Sequence, residues 1–122
     1  DALGTYLENL RFVKKLPVKL ALPAHRGFGD ISLATRVDEL IEHHQRRLGE
    51  ISLILRQSPG LTCYEIAARM KWSIRAACWS DFPPSQKYFA VCECMAHLQH
   101  MLCLGLLNCN TGADGVMRYY GI

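Results

Sequence analysis

The chain has 122 residues, half of them hydrophobic and a fifth charged, which excludes wholesale disorder and allows one compact core or a small domain with an appendage. Its formal charge of +3 does not argue for nucleic acid, because phosphate binding needs a clustered basic face. No apolar run approaches the ~20 residues of a membrane helix; the longest, Met101 to Leu107, is far too short.

In chain order, Leu7, Leu10 and Val13 predict a helix over residues 5–16, with Leu3 extending its stripe backwards and Pro17 stopping it. Residues 18–22 read as a short strand closed by Pro23. That strand has no evident partner, since the next strand-like residues lie beyond position 105. A lone buried strand would leave its amides and carbonyls unpaired, so the helix–strand pair looks like the edge of a larger sheet, and the chain like a fragment. A glycine-containing loop, residues 24–30, follows, with His25 just past the strand, where α/β folds tend to place ligand groups. Val37, Leu40, Ile41, His44, Leu48, Ile51 and Leu55 keep one apolar face through a long helix, about 31–57. Ser58-Pro59-Gly60 ends it, and Thr62 and Glu65 form a capping box for a helix over 63–71. Residues 72–83 read as irregular. A third helix of this set, about 85–105, ends at Gly105, and residues 106–110 and 116–120 flank a glycine-rich turn as a β-hairpin. Three helices followed by a two-stranded hairpin is the winged-helix order.

The six cysteines form no Cys-x-x-Cys pair, which disfavours a zinc ribbon. They are expected as small core residues in a reducing, cytoplasmic setting.

Leu22-Pro23-Ala24-His25-Arg26-Gly27 resembles the Pro-Gly-His-Gly turn near the end of the metallo-β-lactamase catalytic fold. Residues 37–47 resemble the His-Arg-x-x-Arg helix that follows it in the subgroup of lactamase-beta-like endoribonucleases and glyoxalase-II-like hydrolases. Tyr64-Glu65-Ile66-Ala67 and Ala96-His97-Leu98, with Leu102 and Leu106, look like that subgroup's C-terminal winged helix. The resemblance implies a mainly α chain: a residual αβ unit of the αββα catalytic fold in residues 1–29, then a winged-helix domain in residues 30–122. It implies a parent hydrolase with a pair of metal ions, usually zinc, whose bound hydroxide attacks an ester, thioester, amide or phosphodiester. His25 would be the last metal ligand in the intact protein. The main His-x-His-x-Asp-His motif is absent, so this chain by itself is expected to be inactive and to bind no metal tightly. Ala24 and Arg26 depart from the family's turn, and His44 stands where the subgroup has arginine.

Other candidates come from spacing. His43 and Arg47, with Glu39–His43 and Glu42–Arg46 at i,i+4, read either as a salt-bridged helix surface or as a face toward substrate or the catalytic domain. Glu93, His97 and His100 fall on one face of the last helix, as metal ligands would and as any solvated face would. Arg69, Lys71 and Arg75 beside Trp72 form a small basic patch, read as solvated charge or as a contact to RNA or another anion. Exposed positions of the last helix (Gln86, Lys87, Glu93, His97, His100) are close to neutral, so nucleic acid is not the expected partner. The rival reading is a stand-alone winged-helix DNA-binding transcriptional regulator. A dimerisation module, pairing through the open edge at 18–22, is the third.

Overall fold

The computed structural model describes residues 1–22 and 32–122. Helix α1 spans Ala2–Lys14, and the Asp1 carboxylate accepts the Gly4 N–H at 2.8 Å. That cap satisfies an amide at the helix start, so α1 begins earlier than the apolar spacing predicted. Leu3 and Leu7 point inward, and α1 packs against two later helices.

The strand expected at 18–22 is absent. Among the described residues the single sheet is the C-terminal hairpin, and Leu20 and Leu22 are 69% and 70% exposed. With no neighbouring strand, this segment's β-propensity has nothing to pair with, and its backbone is left to water. Helix α1, by contrast, is packed against two later helices of the same chain. The candidate ligand His25 lies outside the described residues.

Helix α2 runs Leu33–Gln57 with Ser32 as N-cap, and buries Val37, Ile51, Ile54 and Leu55. Helix α3, Cys63–Arg69, opens on the expected Thr62–Glu65 capping box and buries Ile66 and Ala67. Between the two helices, Gly60 has φ +81, and a Cβ there would stand 3.3 Å from the Tyr120 ring. Only glycine meets both conditions without strain. The connection to the next helix is irregular apart from a 3-10 turn at Trp79–Asp81, and Phe82 is buried.

Helix α4, Pro84–Cys103, starts with proline in its first turn, where the missing N–H costs nothing. Strands β1 (Leu107–Thr111) and β2 (Met117–Gly121) pair antiparallel, from Leu107 opposite Gly121 to Thr111 opposite Met117. Leu61 adds a bridge to Tyr119: Tyr119 donates to the Leu61 carbonyl at 2.9 Å, and Gly60 donates to the Tyr119 carbonyl at 2.8 Å. The hairpin is thereby tied to the α2–α3 junction. Tyr119 is buried and Tyr120 half-buried, as alternation along the strand requires.

One core joins α2, α3, α4 and the hairpin. Ile51, Leu55, Ile66, Leu98, Met101 and Leu107 are its most deeply buried large side chains. The cysteine expectation holds only in part. Cys94 is buried and Cys63 and Cys92 are half-buried, but Cys78, Cys103 and Cys109 are exposed.

Candidate functional site

The polar residues of α2 converge on α4 and on the segment after α3. Arg47 is the centre, with its side chain only 11% exposed. Its Nη1 reaches Glu50 Oε2 at 3.2 Å and donates to the Lys71 carbonyl, and its Nε lies 3.3 Å from Glu93 Oε1. The Nε and Oε1 atoms are buried and form an ion pair without an aligned hydrogen bond. The guanidinium also sits 4.2 Å above the Trp72 ring, whose Nε1–H donates to the Ala67 carbonyl at 2.8 Å. Glu50 completes the arrangement by accepting the Lys71 N–H at 2.6 Å. Arg47 thus fastens three segments at once, by charge and by stacking.

Spacing had paired His43 with Glu39. In the fold, Glu39 takes Arg36 at 2.8 Å, and His43 stands 3.5 Å from Glu93 on α4. The expected Glu42–Arg46 pair does form, at 3.0 Å on the exposed side of α2.

Beside this clamp lies an imidazole chain. His97 Nδ1 is 2.7 Å from the Glu93 carbonyl, which can only accept, so that nitrogen carries the proton. His97 Nε2 is therefore the acceptor for His44 Nδ1–H at 3.0 Å. Burial lowers the pKa of both histidines; His97 lowers that of His44 further, while the Glu93 carbonyl works against the shift at His97. The Tyr6 ring of α1 meets His44 edge-on at 5.6 Å.

The metal reading of Glu93, His97 and His100 is overturned. Their side chains go to four different partners: Glu93 to Arg47 and His43, His97 to His44, and His100 to Asp1 at 2.8 Å. Among the described residues no group of three histidine, cysteine or acidic side chains could hold a metal ion. His97 and His100, expected on the exposed face, are buried.

A groove of about 710 Å³ runs along α2, and it unites candidates that the sequence kept apart. His43, Arg46 and Arg47 line it from α2, with Arg69 and Lys71 from the end of α3 and the segment after it. Arg75 is not among its lining residues. Glu50, three residues on along α2, lies near Arg47 by spacing alone, but sequence reasoning missed Lys71 and Trp72 as partners of Arg47, and missed the His44–His97 bond. No local spacing signals contacts between residues 24 or 53 positions apart.

Residues 81–122 match the family described as metallo-beta-lactamase-like, C-terminal domain. A solved structure of a beta-lactamase domain protein from Burkholderia ambifaria resembles 98% of this chain, with a TM-score of 0.78 and 30% sequence identity. The chain spans 33% of that protein's length. No curated protein matches. Both findings support a C-terminal part of a metallo-β-lactamase superfamily protein.

Proposed function

We propose that the chain is the winged-helix accessory region of a zinc-dependent hydrolase of the metallo-β-lactamase superfamily. It would wall one side of the active-site cleft and support substrate binding or dimerisation. The observation that carries this reading is the order of α2, α3, α4 and the hairpin, locked by the Leu61–Tyr119 bridge, in a chain that resembles a beta-lactamase domain protein over 98% of its length. In this reading the zinc and the hydroxide it activates would be held mainly by the rest of the protein, with His25 as this chain's contribution. His43 and the polar edge of α2 would face the catalytic domain or its substrate, with Arg47 holding that edge in place. A DNA-binding regulator is not favoured: the family match points elsewhere, and the ends of α4 carry little net positive charge.

The test is the full-length protein, analysed for bound zinc and for hydrolysis of ester, thioester and phosphodiester substrates. Zinc-dependent turnover that collapses in His25→Ala is the expected result. A protein that takes up no zinc and hydrolyses none of the three classes would overturn the reading. Salt-sensitive DNA binding by residues 1–122 in a mobility-shift assay would favour the regulator instead.

A further inference from the structure

The groove along α2 has a charge balance that the hydrolase reading does not use. From His43 to Gln57 it follows about 20 Å of helix. Arg46, Gly49, Leu53 and Gln57 recur on that side at helical spacing, and Arg69 and Lys71 come from the opposing segment. Glu50 is the acidic residue in the lining, and both its oxygens are engaged: one by Arg47, the other by the Lys71 N–H. Its charge is therefore satisfied from within. Arg69 and Lys71 form no salt bridge among the described residues, and both are exposed. Arg46 is held only by an exposed pair with Glu42, the kind of contact that competes poorly with a multivalent anion. The groove thus presents Arg69 and Lys71 on one wall and Arg46, in its exposed pair with Glu42, on the other, beside the half-exposed Leu53. Its volume lies within the roughly 300–1,000 Å³ of small-ligand sites.

We propose that this groove is an anion-binding site for a ligand carrying phosphate-type charge, gripped by Arg69 and Lys71 on one wall and Arg46 on the other. Three cations around one cleft suit a group with several acceptor oxygens better than a single carboxylate. Arg47 is not a ligand in this scheme. Its charge is already answered by Glu50 and Glu93, its Nη1 donates to Glu50 and to the Lys71 carbonyl, and it positions the Lys71 segment against α2.

Inorganic pyrophosphate is the probe, titrated into the 122-residue chain and followed by calorimetry at low and at physiological salt. Saturable binding that weakens with salt is expected. Loss of a charge-assisted contact in Arg69→Ala or Lys71→Ala should weaken it by about tenfold each. The decisive variant is Gly49→Glu. A Cβ at Gly49 meets nothing within 4 Å, so the substitution is tolerated by the fold and places a carboxylate in the groove. It should abolish pyrophosphate binding, while Gly49→Ala leaves binding unchanged. Absence of saturable binding in the unmodified chain, or equal binding in Gly49→Glu, would overturn the proposal. Either result is independent of whether the full-length protein hydrolyses anything.

Discussion

At the scale of single residues, the chain invests its buried charge in Arg47. Replacing it with methionine keeps much of the stem packing on Trp72 but leaves Glu93 Oε1 buried without its cation and the Lys71 carbonyl without its donor. Breaking one partner out of a largely buried charge cluster costs about 3 kcal/mol, to be read from the urea midpoint of Arg47→Met. The paired histidines make a second prediction. His44 and His97 both have folded pKa values below the unfolded value of about 6.5, so each prefers to be neutral in the fold. Their contribution to stability is fully present above that pH and is lost as pH falls below it through the folded values. Protonating His97 would set an N–H against the His44 N–H, with His43 and Arg47 adding like charge and the Glu93 carbonyl and carboxylate opposing them. Urea midpoints should fall between neutral pH and about pH 5, where histidines titrate, and His97→Gln should flatten that fall. Unchanged midpoints across the range would remove the histidine pair from the account.

At the scale of elements, the local rules and the fold agree wherever a cap or a turn is involved. Thr62 and Glu65 were legible as a capping box because the motif is local, and the structure forms both halves of it. Thr62→Ala should cost about 1 kcal/mol of thermal or urea stability. Gly49 is an unforced glycine in the middle of α2, exposed and without neighbours around a built Cβ. Gly49→Ala should therefore stabilise the chain by about 0.5–1 kcal/mol. The segment at 18–22 shows the limit of such rules. Its alternation and flanking prolines satisfy every local criterion for a strand, but a strand exists only through a ladder partner, which the described residues do not provide.

At the scale of the molecule, one core ties α2, α3, α4 and the hairpin, with Leu98 fully buried at its centre. Leu98→Ala should cost about 2–5 kcal/mol and act on the whole unit at once. Helix α1 is attached more lightly, through Leu3, Leu7, the Asp1–His100 contact and a Lys14–Asp38 salt bridge at 2.6 Å. His100→Ala should therefore raise hydrogen exchange in α1 while α3 and the hairpin keep their protection. Equal loss of protection everywhere would mean that α1 and the core unfold together.

The sequence by itself determined the helices, the hairpin, the capping box, the Glu42–Arg46 pair and the resemblance to the metallo-β-lactamase superfamily. All of these are written in spacings of a few residues or in short motifs. Only the tertiary structure decided that His97 is buried, that Glu93 answers Arg47 and His43, and that Arg69 and Lys71 share a groove with Arg46. Those outcomes depend on how α2, α3 and α4 cross. Crossing is set by which side chains fill the core together, and no short window of sequence contains that sum.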